Sequence, residues 1–171
     1  DIRRGLARAG GRLVPGFRTQ SDTVLREELV RACFTLASRR VGALIAIERD
    51  GSLDELVEGG SRLDAVLSHD LLLTIFHPTS PLHDGAVVIQ KARLVAAQVF
   101  FPLSLSKDIS RFFGTRHRAA IGLTEETDAI AIIVSEERGT VSLVQGGKIT
   151  PTQDANDLRQ QLQEIFQTRK P

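Results

Sequence analysis

Gly85-Ala86-Val87-Val88-Ile89-Gln90-Lys91-Ala92-Arg93-Leu94-Val95-Ala96-Ala97-Gln98-Val99-Phe100-Phe101 sets the architecture of the chain. Two apolar segments, Gly85 to Gln90 and Leu94 to Phe101, flank a short polar connection, as the strands of a hairpin do. The pattern recurs downstream, where Ala129 to Val134 and Thr140 to Val144 flank Ser135-Glu136-Glu137-Arg138-Gly139. Upstream, Gly42 to Ile47 is a nearly continuous apolar run ended by the turn pair Asp50-Gly51, which predicts a buried strand, and Leu63 to Leu67 reads as another.

Helical periodicity fills the intervals. Leu25, Leu29, Cys33 and Leu36 form one stripe from Ser21 to about Arg40, with Ser21 or Asp22 as N-cap. Ser52 and Glu55 have capping-box spacing, and Ser68 caps a segment carrying Leu71 to Phe76, before Pro78 and Pro81 impose a loop. Thr115 to about Glu126 and Asp154 to Phe166 complete the helices, the last with Leu158, Leu162, Ile165 and Phe166 as its stripe. Hairpins combined with helical crossovers predict an α/β fold with a mixed parallel and antiparallel central sheet flanked by helices.

The 171 residues suit one domain with an aliphatic core, since Trp and Tyr are absent and eight Phe supply the aromatic content. A net charge of +1 argues against a protein that coats nucleic acid. Five arginines (Arg3, Arg4, Arg8, Arg12, Arg18) fall in residues 1–18, which read as a basic arm ahead of a domain spanning 19–171. The single cysteine, Cys33, forms no disulfide within the chain and reads as a small buried hydrophobe. No apolar run reaches membrane-spanning length.

Three polar stretches adjoin the strands. Leu82-His83-Asp84-Gly85-Ala86 places a carboxylate and a glycine at a strand start, although Asp-Gly is also ordinary turn chemistry. Gly114-Thr115-Arg116-His117-Arg118 opens a helix, where free amides, the helix dipole, a hydroxyl and two guanidinium groups favour phosphate; a solvated basic helix start is the plainer alternative. Ser135-Glu136-Glu137 is a charged hairpin loop that, taken with Asp84, offers the hard oxygen ligands Mg²⁺ or Mn²⁺ prefers. His69 and His77 read as surface or capping residues, and neither a zinc motif nor a Walker A loop is present.

In this order the stretches resemble the D-G-A, R-H-R and S-E-E motifs of the diadenylate cyclase (DAC, DisA-N type) domain, over roughly residues 20 to 147. The chain is most similar to the membrane-anchored CdaA type. That resemblance implies the diadenylate cyclase fold and a nucleotidyltransferase that condenses two ATP into 3′,5′-cyclic di-AMP, releasing two pyrophosphates with Mg²⁺ or Mn²⁺. It implies metal ligation by Asp84 and Glu136, with His83 close by, and a phosphate grip by Gly114, Thr115, Arg116, His117, Arg118 and Ser135. Gly85 and Ala86 would pass close to the nucleotide, and adenine would lie against Phe101 and Leu103, although relatives often carry Leu where this chain has Phe101. Further implications are a homodimer in catalysis, transient or lasting, and a regulatory protein and a phosphoglucosamine mutase as partners. The basic arm would then be the cytoplasmic flank of a bacterial membrane segment absent from this sequence. Two other functions compete: a module that senses ATP or a cyclic nucleotide without turnover, and a nucleic-acid binder using the arm and Arg116 to Arg118. An intact carboxylate and phosphate grip argue against the first, and the charge argues against the second.

Overall fold

The structure, a computed structural model, describes residues 20–167. The basic arm assigned to residues 1–18 lies outside them. Seven strands form one sheet in the order β2-β4-β3-β1-β5-β6-β7. They are β1 (Ala43–Ile47), β2 (Ser61–Val66), β3 (Ala86–Gln90), β4 (Arg93–Val99), β5 (Ile130–Ser135), β6 (Thr140–Gln145) and β7 (Lys148–Pro151). Only β1 and β3 pair in parallel; every other neighbouring pair is antiparallel, so the sheet is mixed as the hairpins require.

Helices cover both faces. On one, α1 (Gln20–Ser38), α3 (His69–Phe76) and α5 (Ala155–Gln167) enclose a core containing Leu29, Leu36, Ile45, Ile47, Ile75 and Leu162. On the other, α2 (Asp54–Glu58) and α4 (Thr115–Glu126) cover Leu44, Ala46, Val88, Ala120 and Ile133. Alternation along β1 therefore sends odd-numbered residues to one core and even-numbered ones to the other, and all five are buried. Each fully buried Leu or Ile contributes about 1.5–3 kcal/mol, which makes this central strand the energetic spine of the sheet. Cys33 is wholly buried in the first core, and burial pushes its thiol pKa up to about 12.

Local chemistry explains most element boundaries. Ser68 caps α3 by accepting from the Leu71 amide at 3.1 Å. Lys91 and Ala92 join β3 to β4 with φ of 49° and 62°, the left-handed pair that a two-residue hairpin turn demands. Elsewhere the expectations need correction. Helix α1 already includes Ser21 and Asp22, so neither is its N-cap. The capping box at Ser52 does not form: Ser52 Oγ accepts from the Asp54 amide, while Glu48 takes the Leu53 amide at 2.9 Å. The second short strand starts two residues earlier than its apolar pattern suggests. His69, the first residue of α3, is only partly exposed, its ring held between Thr35 and Asp70. Strand β7 was not expected at all.

One edge strand is irregular and the other is short. Along β2 the pairing register shifts between Arg62 and Ala65, where Asp64 has φ 48°. Strand β7 is four residues long and ends at Pro151.

Candidate functional site

The register brings distant segments to one end of the sheet. Ala43, at the start of β1, pairs with Val134 near the end of β5, and Ala86, at the start of β3, pairs with Val99 at the end of β4. Ser135 pairs with Thr140 at the start of β6. A cleft of about 720 Å³ opens there, lined by all three polar stretches. It lies at the N-terminal ends of the parallel pair, whereas open parallel sheets usually bind ligands at the carboxyl ends.

Asp84 reaches the cleft on a loop with several tethers. Gln98 Nε2 donates to the Pro81 carbonyl at 2.7 Å, and the Leu82 amide donates to Ser80 Oγ at 3.1 Å. Gly85 has φ +77°, and a Cβ there would sit 3.0 Å from the Val99 carbonyl oxygen. The positive φ and the closeness of β4 are each enough to require glycine, and the residue also lines the cleft. His83 Nδ1 lies 2.7 Å from the Ser80 carbonyl, an obligate acceptor, so Nδ1 carries the proton. The other ring nitrogen, Nε2, faces Asp84 Oδ1 at 3.4 Å. Imidazole plus carboxylate is a donor pair that suits a divalent metal. Among the described residues no three His, Cys, Asp or Glu side chains, Glu136 included, gather as a metal cage. The Glu136 carboxylate instead lies 3.8 Å from Arg116 Nη1.

The N-terminus of α4 forms the opposite wall. Gly114 caps it without a side-chain hydrogen bond, and a Cβ added there would meet nothing within 4 Å. No acidic residue occupies the first turn, which leaves the dipole's positive end open to an anion. His117 stacks on Phe113 with centroids 4.6 Å apart and 3° between planes. Burial first, then the charges of Arg138 and Arg116, lower its pKa, opposed by Glu137; the ring is neutral at pH 7.

An apolar wall completes the cleft. Phe101 is buried, whereas Phe100 and Leu103 stand exposed beside it. The segment is anchored to α4 by the Ser104 amide, which donates to the Arg118 carbonyl at 3.0 Å, and by Gly122, whose missing Cβ admits the Pro102 carbonyl.

Of the residues singled out from sequence, His83, Asp84, Gly85, Phe101, Leu103, Gly114, Thr115, Arg116, His117, Ser135 and Glu136 line the cleft. Ala86 and Arg118 do not: Ala86 is buried in the second core, and Arg118 contributes its carbonyl to the Ser104 anchor. Sequence reasoning missed Arg40, Gly42, Phe112, Phe113 and Arg138, all of which line it. Gly42 fits closely, since a Cβ there would lie 2.4 Å from Arg116 Nη1. Only the Val-Gly step before β1 could have signalled it.

A metal-competent pair, an uncapped helix start with arginines and an apolar wall, set on a mixed α/β sheet, define a site of the nucleotide-binding class. The family described as DisA bacterial checkpoint controller nucleotide-binding (DAC) matches residues 30–149, and the chain belongs to that family. It is 41% identical over 172 residues to the cyclic di-AMP synthase CdaA of Bacillus subtilis, covering 97% of this chain and 62% of that protein. It is 46% identical over 125 residues to a diadenylate cyclase of Listeria monocytogenes, covering 73% of this chain and 46% of that one. The chain thus spans roughly half to three-fifths of these curated relatives. A crystal structure of DacA from Staphylococcus aureus superposes with a TM-score of 0.84 at 38% identity, covering 88% of this chain and all of that one. A structure of a hypothetical membrane spanning protein from Bacillus cereus gives 0.71 at 42%, covering 73% of this chain and 61% of that chain. Among the described residues no helix is long and apolar enough to cross a membrane.

Proposed function

We propose that this domain is a diadenylate cyclase that joins two ATP into 3′,5′-cyclic di-AMP and releases two pyrophosphates. The observation that carries the reading is the convergence of Asp84, the Thr115–His117 helix start and the Phe101–Leu103 wall on one cleft. The relatives' names supply the chemistry.

Adenine lies against Phe101 and Leu103, and the triphosphate meets the free amides and Thr115 at the start of α4. Arg116, oriented by Glu136 and backed by Gly42, neutralises phosphate charge. Asp84 with His83 Nε2 would hold Mg²⁺ or Mn²⁺, the remaining ligands being phosphate oxygens and water, as is usual for Mg²⁺. When bound, the metal supplies charge neutralisation at the α-phosphate and leaving group. His117, stacked and neutral, offers a ring N–H to a phosphate oxygen without adding charge. Ser135 closes the cleft beside it.

One cleft accommodates one ATP, whereas the product contains two equivalent phosphodiester links. Two copies meeting about a two-fold axis satisfy that symmetry, each 3′-hydroxyl facing the other's α-phosphate. The pair is transient or lasting, and the parent protein is a bacterial membrane protein by analogy with its relatives. A regulatory protein and a phosphoglucosamine mutase are its partners by family analogy.

Incubation with ATP and Mn²⁺ or Mg²⁺ should yield cyclic di-AMP, with a rate per milligram that rises with enzyme concentration until pairs saturate. ATP binding without product would return the domain to a sensor. A flat dilution profile, with sedimentation showing only monomer, would exclude face-to-face pairing.

A further inference from the structure

Three arginines line the cleft, and only Arg116 belongs to a recognised motif; Arg40 and Arg138 do not. Three carboxylates, Asp84, Glu136 and Glu137, line it as well. Arg116 alone would leave an excess of negative charge, which repels a triphosphate. With Arg40 and Arg138 the lining is balanced before any cation arrives.

The two additional arginines are used differently. Arg40, with φ 55°, donates from Nη1 to the Glu137 carbonyl at 2.7 Å, and Gly139 packs against its Nε. It braces the β5–β6 turn. That turn is tied again where the Gly139 amide donates to the Ser135 carbonyl at 2.8 Å, and the Arg138 amide lies 3.3 Å from Ser135 Oγ. Arg138 therefore rises from a fixed backbone, yet its guanidinium has no hydrogen bond or ion pair among the described residues. Its charge also contributes, with burial and Arg116, to the lowered pKa of His117.

We propose that Arg138 binds the terminal phosphates of the nucleotide, the pair that departs as pyrophosphate; this rests on the triphosphate reading of the cleft. The guanidinium fork suits two phosphate oxygens, and an unpaired arginine on a braced turn loses no competing partner when it binds. Arg40 is the positioning residue that sets the turn.

Calorimetric titration with inorganic pyrophosphate, and separately with AMP, tests this on the parent, R138A, R138K and R62A, the last removing an exposed charge on β2 outside the cleft. R138A should bind pyrophosphate about tenfold more weakly, the usual scale of one lost charge-assisted contact, with AMP affinity unchanged. R138K should fall between, and R62A should match the parent. Parent-like pyrophosphate binding by R138A overturns the proposal. So does an equal loss in R62A, an equal loss for AMP, or a parent that binds no pyrophosphate. The cyclase reading fails separately, if the parent and R138A differ as expected on pyrophosphate while the parent makes no cyclic dinucleotide from ATP.

Discussion

Replacing Gly122 by Ala sets two effects of opposite sign against each other. Inside a helix, Ala is favoured over Gly by about 1 kcal/mol, so propensity alone predicts that G122A stabilises the domain. The structure predicts the reverse. A Cβ at this position would lie 2.0 Å from the Pro102 carbonyl oxygen and 2.9 Å from the Ser104 nitrogen. Both atoms are backbone, so no rotamer change relieves the clash, and the 102–104 segment must retreat. That motion breaks the 3.0 Å bond from the Ser104 amide to the Arg118 carbonyl, worth about 1 kcal/mol, and overpacking strain adds about 1–3 kcal/mol. After the propensity gain is subtracted, a net loss of about 1–3 kcal/mol remains. Because Leu103 lies within the displaced segment and Phe101 adjoins it, nucleotide affinity should fall too. Urea denaturation monitored by circular dichroism, alongside ATP titration, measures both quantities. A G122A midpoint at or above that of the parent would refute the reasoning.

Gly42→Ala should act oppositely: its Cβ would meet only the tip of Arg116, at 2.4 Å from Nη1, so ATP affinity drops about tenfold with little change in melting temperature. A matched pair of thermal scans and ATP titrations checks it. Asp84→Asn should cut cyclic di-AMP synthesis about a hundredfold or more while unfolding free energy stays within about 0.5 kcal/mol, since the side chain is 71% exposed. His117 has a folded pKa below its ordinary value of 6.5, so its contribution to stability is complete above about that pH and is lost as pH falls through the folded value. Urea midpoints at pH 7.5 and 5.5 should therefore separate less in His117→Gln than in the parent; equal separation would contradict the assignment.

Elements whose reason is local were legible in the sequence. Ser68 caps α3 through its own hydroxyl, and α4 begins at Thr115 with the basic cluster at its start. The hairpin at Lys91-Ala92 was clear from strand patterning although neither residue is a favoured left-handed one. Strand β7 was not legible, because Lys148-Ile149-Thr150-Pro151 is short, carries a proline and shows little alternation. The Ser52 box failed because Glu48 reaches the competing amide from outside the helix. In the site, chemistry-bearing motifs could be listed, and the register then brought most of them together. Arg40 and Arg138 were invisible for the same physical reason in reverse. Arg40 meets the β5–β6 turn across 97 residues of sequence, a proximity that no local pattern encodes.

The two sheet edges bear on how copies of this domain associate. A regular edge strand offers unpaired amides and carbonyls to any neighbour, and growth along it is open-ended. Here the kink at Asp64 interrupts one edge, and Pro151, lacking an N–H, shortens the other. Strand addition is thus discouraged at both margins. At high local concentration, contacts between copies would then be made by faces other than these edges.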